Sequence, residues 1–529
     1  MSAAPSAELY HTQSTHKWLV ALAVMLGTSL EVLDNSIINV ALPHMQGSFS
    51  ASVDEIAWVL TSYLAANGIM IPMTAWISSR FGRKRYFLTS MFIFVTASAL
   101  CGMAQSLGQM VTFRLIQGAA GAAMIPSSQA ILMETFPPEE QQMGMAIWGV
   151  GLMVAPILGP TLGGWITDNW NWRWNFYINV PLGAIAFAMV SSFVHDPPFM
   201  HAQRQNKRKV DYLGIGLLVV SLGVLQIVLD RGQRADWFNS PWVIYASLLS
   251  GVTFVALFLH ELHFGEPILD LRIFEVPIFD VALFITVMFS ALLFGTLLLS
   301  PVFLQELMGY TAWKAGLVQA PRGLGAMISM MVVGNLSRFG VDTRKFVGLG
   351  FTLVTIGCWF TSRFTLDTSM AAIIWPTMVM GFGFGMVFPP TSAAAISCVA
   401  RERMGYASSL YNMMRNTGAA LGIAWMTNSL VSLQQLHQAR LVEHFSVFDA
   451  WRVSNAAPQM AGSPSFRLLP QMINGQHQGL GMVYEAIQAQ AGMLSFNDIY
   501  RILAAVSLLM IPTFIFLAGA KTTGSGPAH

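Results

Sequence analysis

The stretch WLVALAVMLGTSLEVLDNSIINVALP, residues 18–43, is apolar up to Glu31, and Asp34 follows about one turn later. A bilayer core about 30 Å thick needs roughly 20 apolar residues in a helix. The run is long enough to span a membrane. An ionisable residue well inside a span costs at least about 2.5–3.5 kcal/mol on insertion scales. Two carboxylic acids in such a run therefore need a reason.

The rest of the chain has the same character. Of its 529 residues, 54% are hydrophobic and 10% charged, whereas soluble domains are about 25% charged. That leaves too little polar surface for a large soluble enzyme, and no enzymatic activity is expected. The net charge of +2 gives no sign of a nucleic-acid partner. Cys101, Cys358 and Cys398 fall in apolar segments at unrelated spacings and read as free, buried thiols. The first residues lack the charged region and small-residue cleavage site of a removable signal, so the first apolar run is read as the first spanning helix.

Long uncharged runs predict fourteen helices, near 17–43, 54–78, 86–105, 108–133, 143–166, 175–196, 211–230, 238–260, 279–305, 313–337, 345–363, 369–398, 404–430 and 498–519. Arg322 makes the tenth the weakest. Basic residues cluster in alternate loops, RFGRKR (80–85), RQNKRK (204–209), LSRFGVDTRK (336–345) and RER (401–403), which places those loops and both termini in the cytoplasm. The tetrapeptide SRFG closes both the second and the tenth helix, at 79–82 and 337–340, as expected of an internal duplication. The expected organisation is a six-helix half over 1–196, a linker and two inserted helices over 197–262, and a second six-helix half over 263–529. The last of these includes a long periplasmic loop, 431–497, in which GMVYEAIQAQAGML (481–494) could fold as a helix along the membrane surface. Two such halves around a central site describe a transporter that works by rocking.

In the fifth helix, GVGLMVAPILGPTLGG (149–164) spaces Ala155, Gly159 and Gly163 by four, a small-residue ridge suited to close helix contact. Pro156 and Pro160 each remove a backbone donor. With Gly151 and Gly164, this segment resembles the antiporter motif of the major facilitator superfamily, which marks exchangers and is thought to seal the cavity during turnover. VTFRLIQGAAG (111–121) resembles the family's fourth-helix motif, with Arg114, Gln117, Gly118 and Gly121 on one face. TAWISSRFGRKR (74–85) is similar to its gating loop, carried here by Arg80, Gly82 and Arg83. Ser79 stands where that motif usually has Asp, and Ala75 where it has Gly. LDNSIINVALP (33–43) matches the first-helix motif of the fourteen-helix drug:proton antiporter branch. LQIVLDRGQRADWFNS (225–240) and WNWRWNFYINVPLG (170–183) are similar to bacterial multidrug exporters of that branch.

The resemblance implies an all-α inner-membrane antiporter that exports hydrophobic toxic compounds in exchange for protons and confers antibiotic resistance. It also implies a periplasmic membrane-fusion adaptor and an outer-membrane channel, together forming a tripartite pump. No cofactor is expected, because the proton gradient would drive transport. A stand-alone transporter, or an exporter of one amphipathic metabolite such as a fatty acid or siderophore, is the alternative, and a passive facilitator is a further class.

The buried charges are the candidate machinery. From the 1.5 Å rise per residue, Asp34 lies roughly 13 Å and Arg114 roughly 9 Å below the same membrane face, so the two can pair. Asp34, helped by Glu31 and held by Arg114, is the expected proton-coupling group, and which acid is the main carrier stays open. Arg415, Tyr411, Asn412, Gln117 and Asn39 are the expected substrate-cavity residues, and long loop 431–497 is the expected adaptor dock. Arg322 reads equally as a functional or a snorkelling arginine. No G-x-x-x-x-G-K-[ST] phosphate loop exists, which disfavours an ATP-driven pump. HELH (260–263) has its histidines three apart rather than four, and no metal is expected there.

Overall fold

A computed structural model describes residues 17–196, 210–232, 235–264, 268–339, 341–342, 344–443 and 477–517. Among these there is no strand. The main helices, in chain order, are α1 (Lys17–Phe49), α2 (Trp58–Phe81), α3 (Arg83–Met103) and α4 (Leu107–Gly121, resuming as Met124–Thr135). They continue as α5 (Gln141–Asn169), α6 (Asn179–Phe193), α7 (Tyr212–Arg231), α8 (Pro241–His263), α9 (Pro277–Val302) and α10 (Ala312–Arg338). The series ends with α11 (Arg344–Thr361), α12 (Met370–Ser397), α13 (Met404–Glu443) and α14 (His477–Met510).

Each expected run corresponds to one of these helices. Nine, namely α1, α3, α6, α7, α8, α9, α10, α12 and α14, contain segments long and apolar enough to cross a membrane. The two pieces of α4 are short, at 15 and 12 residues. The buried residues of α2 include Thr61, Ser62, Asn67, Thr74, Ser78 and Ser79. Such hydroxyls and amides lower hydropathy because these helices face protein rather than lipid.

Packing repeats between the two parts of the chain. In the first, α1 lies on α5 and α6, α2 on α4, and α3 on α4 and α6; in the second, α9 lies on α13, α10 on α12, and α11 on α12 and α14. The α2–α4 and α10–α12 contacts use the same device. A Cβ on Gly118 would sit 2.3 Å from the Tyr63 carbonyl oxygen, and one on Gly381 would sit 2.0 Å from that of Arg322. Only glycine permits backbones this close. Contacts between the parts run from α5 to α10 and from α2 to α13.

Two expectations change. α10 is continuous through Arg322, and that side chain is only 4% exposed, so it does not snorkel. The expected loop 431–497 is largely helical where it is described. α13 runs on to Glu443, and α14 begins at His477 rather than near 498. Residues 481–494 are therefore part of α14, which packs on α13 through hydrogen bonds from Gln434 to Gln488 (3.4 Å) and between His437 and Asp498 (2.9 Å). At 40 and 34 residues, the two helices reach about 60 and 51 Å, well beyond a 30 Å bilayer core. The polar composition of this segment hid helices that pack on each other rather than on lipid. Residues 444–476 of that expected loop and 204–209 of the linker lie outside the described residues.

Candidate functional site

Asp34 and Arg114 meet as the helical rise predicts. Arg114 Nη1 donates to Asp34 Oδ2 at 2.6 Å, and neither side chain has any exposure. Gln117 and Asn179 each donate to Asp34 Oδ1, at 2.9 and 2.7 Å. Arg114 also donates to Gln117 Oε1 (2.9 Å), Val59 O (3.2 Å) and Asn35 Oδ1 (3.4 Å) and lies over the Tyr63 ring at 4.1 Å. Asn179 is oriented through Ser98 at 3.0 Å. The cluster thus draws on α1, α2, α3, α4 and α6, and both carboxylate oxygens are satisfied. Gln117 belongs to this cluster and not to a cavity wall, because its amide is fully buried between Asp34 and Arg114.

Glu31, on the adjacent turn of α1, has a different setting. Asn67 of α2 donates to its Oε1 at 2.9 Å, while Oε2 is buried with no partner. Arg415, on α13 in the other part of the chain, lies within electrostatic reach of Glu31. Asn67 and Asn179 were not found in the sequence. Single asparagines in apolar runs carry no spacing signal, and only their depth in a helix could have drawn notice.

The ridge of α5 holds this acidic helix in place. A Cβ on Gly151 would fall 2.2 Å from Met25 Cγ, one on Gly159 2.4 Å from Ser36 Cβ, and one on Gly163 2.9 Å from Ile37 Cγ2. All three neighbours are on α1, flanking Glu31 and Asp34. Pro156 and Gly164 are half-buried, and the side chains of Pro160 and Asn39 lie outside the described residues.

At the end with the basic loops, the two parts of the chain touch. Asn412 Nδ2 of α13 donates to Gln129 Oε1 of α4 at 2.5 Å, and Ser408 Oγ donates to Pro126 O at 2.9 Å. Trp148 of α5 stacks on Phe388 of α12 at 5.9 Å. Arg83 pairs with Glu134 and comes close to Gly405 at the start of α13. Gly82 between α2 and α3 has φ 92°, a conformation suited to glycine, and Arg80 reaches back over Trp76 at 5.7 Å. Asn412 and Tyr411 are each 1% exposed and so do not line an open cavity; Asn412 sits at the contact between the two parts. Arg415 is half-buried. A cavity of about 300 Å³ lies between α7, α8 and the Met413, Met414 and Thr417 turn of α13.

Cys101 and Cys358 are buried, Cys398 is half-buried, and all three are free. His260 of HELH bonds to Asp211 at 2.8 Å, and no cluster of metal-binding side chains occurs among the described residues.

The order and repeated packing of these helices have a counterpart among known proteins. The family model described as Major Facilitator Superfamily matches residues 24–423. The chain belongs to that superfamily. It is a multi-pass membrane transporter and not an enzyme. It is 32% identical over 514 residues to the multidrug export protein EmrB of Escherichia coli (strain K12), covering 96% of each chain. It is also 32% identical to the fatty acid resistance protein FarB of Neisseria gonorrhoeae, over 96% of this chain and 97% of that one. Among solved structures, the human organic anion transporter MFSD10 aligns with a TM-score of 0.58 at 14% identity, over 93% of this chain and 99% of that one, a likeness of fold alone.

Proposed function

We propose that this transporter is a proton-coupled exporter of hydrophobic toxic compounds from the cytoplasm across a bacterial inner membrane, with both termini cytoplasmic. Its relatives' names, multidrug export and fatty acid resistance, support efflux. The observation that carries the coupling is the free, buried Oε2 of Glu31, whose other oxygen is held by Asn67, with Arg415 of the other half within electrostatic reach. An ionised Glu31 is attracted by Arg415; a proton on Oε2 removes that attraction and lets α1 and α13 part. Asp34, with every oxygen bonded, acts as the fixed element that orients α1, and it exchanges a proton only when the cluster opens. Because ionisation and protonation favour different arrangements of the halves, substrate and proton occupy the protein alternately, which is sufficient for exchange.

The halves assigned to 1–196 and 263–529, with the insert 197–262 between them, are supported by the repeated packing. The closed contacts at the basic-loop end correspond to a state shut toward the cytoplasm. No cofactor enters this scheme. The protruding α13–α14 pair supplies the surface for a membrane-fusion adaptor of the EmrA type, leading to an outer-membrane channel of the TolC type.

The test is ethidium transport by purified protein in proteoliposomes under an imposed pH gradient. Wild type should accumulate dye uphill and lose that ability when the gradient collapses, and Glu31→Gln should move dye only downhill. Uphill transport at the wild-type rate by both Glu31→Gln and Asp34→Asn would exclude this coupling site.

A further inference from the structure

The deep charges do not balance. Asp34 is paired with Arg114, and Glu31 lies within electrostatic reach of Arg415. Arg322, 4% exposed in the middle of α10, has no acidic partner among the described residues; a phenol, Tyr500, and a thiol, Cys358, are within its electrostatic reach. Its Nη2 donates to Thr296 Oγ1 at 2.6 Å and to Leu293 O at 3.3 Å, and its guanidinium lies 5.2 Å from the Phe384 ring. Its Nη1 is buried with no hydrogen-bond partner. Three residues earlier, and so on the same face of the helix, Gln319 has both Nε2 and Oε1 buried and unpaired. A buried guanidinium without a counter-charge is costly to the fold. Here two side chains one turn apart present unused donors, and the Tyr500 hydroxyl lies nearby, 3.2 Å from Ser300 Oγ.

We propose that Arg322 and Gln319 form an anion site in the second half, taking one compact monoanion. Arg322 Nη1 and Gln319 Nε2 donate to it, while Thr296 holds the other arm of the guanidinium in place. Two sources offer that chemistry: the carboxylate of a transported amphiphile, or free chloride. The site's place on a substrate path rests on the export reading above, whereas binding itself needs neither a gradient nor transport. With a carboxylate bound, the charge of Arg322 is balanced while the amphiphile is loaded and unbalanced once it has left. The two halves then recognise charge of opposite sign, a proton at Glu31 and an anion at Arg322.

The experiment measures binding and thermal unfolding of the full chain in neutral detergent, in gluconate buffer, with sodium dodecanoate, sodium chloride or dodecyltrimethylammonium added. Dodecanoate or chloride should bind and raise the unfolding midpoint of wild type, and dodecyltrimethylammonium should not. If the anion is the amphiphile's headgroup, dodecanoate binds and chloride competes weakly; if it is chloride, the order reverses. Arg322→Gln should weaken anion binding at least about tenfold, the loss expected for hydrogen bonds to a charged group. Arg322→Lys should retain part of it. Gln319→Glu places an internal anion beside Arg322, so it should abolish binding while holding or raising the unfolding midpoint, which separates a lost site from a misfolded chain. Equal responses to dodecanoate and dodecyltrimethylammonium, or wild-type anion affinity in both Arg322→Gln and Gln319→Glu, would overturn the proposal. Ethidium transport by the same wild-type preparation reads the coupling proposal separately.

Discussion

Arg114→Ala tests the central cluster most directly. The guanidinium spans α1, α2 and α4 with hydrogen bonds to Asp34, Asn35, Gln117 and Val59 and lies over Tyr63 at 4.1 Å. Removing it leaves the Asp34 carboxylate fully buried, with only the amides of Gln117 and Asn179 as donors. Breaking a buried pair by deleting one partner costs about 3–5 kcal/mol, because the remaining charge loses its compensation. Arg114→Ala is expected to lose that much, and Arg114→Ala with Asp34→Asn to recover a large part of it. The assay is equilibrium unfolding in mixed micelles, followed by the fluorescence of the 15 tryptophans. Contacting residues show coupling energies of about 0.5–3 kcal/mol in such cycles. A double variant whose loss equals the sum of the two single losses would refute the pairing argument.

Other outcomes follow from the packing. Gly159→Val puts a branched side chain where a Cβ alone would lie 2.4 Å from Ser36 Cβ. It should push α1 off α5, costing about 1–3 kcal/mol in stability and cutting dye efflux from cells severalfold more than a Val substitution at exposed Leu158 does. Gln129→Leu removes the acceptor for Asn412 and Ser408. It should shift the protein toward the state open at the basic-loop end, read as faster labelling of a cysteine placed at Ser409. Gly82→Ala forces a side chain into a φ of 92° and should cost about 1–3 kcal/mol, seen as a lower unfolding midpoint.

Much of this site was legible because depth in a helix is arithmetic. Asp34 and Arg114 could be matched across α1 and α4 from the rise per residue, and the α5 ridge showed its small-residue spacing directly. The approach of Glu31 to Arg415 was not legible. Arg415 lies far along the chain, and what comes within reach across the halves depends on how the bundles dock, which no local pattern encodes. The protruding ends of α13 and α14 were missed for a different reason. Apolar runs mark helices that face lipid, whereas Gln434, His437, Gln488 and Asp498 stabilise a helix pair through polar contacts beyond the apolar runs. Arg322 was visible as a charge, but only its burial separates a stranded cation from one that reaches the membrane surface.

The inserted pair α7–α8 is fastened chiefly to α2. Asp230 accepts a hydrogen bond from Thr61, Arg231 lies 4.0 Å over the Trp58 ring, and Gly223 packs against Ile69, all on α2. Toward α13 the contact is lighter, and a gap of about 300 Å³ opens between α7, α8 and α13. On the rocking mechanism proposed above, the insert travels as a passenger of the first half, and that gap is running clearance for α13 to swing past α7 without prying the pair from α2.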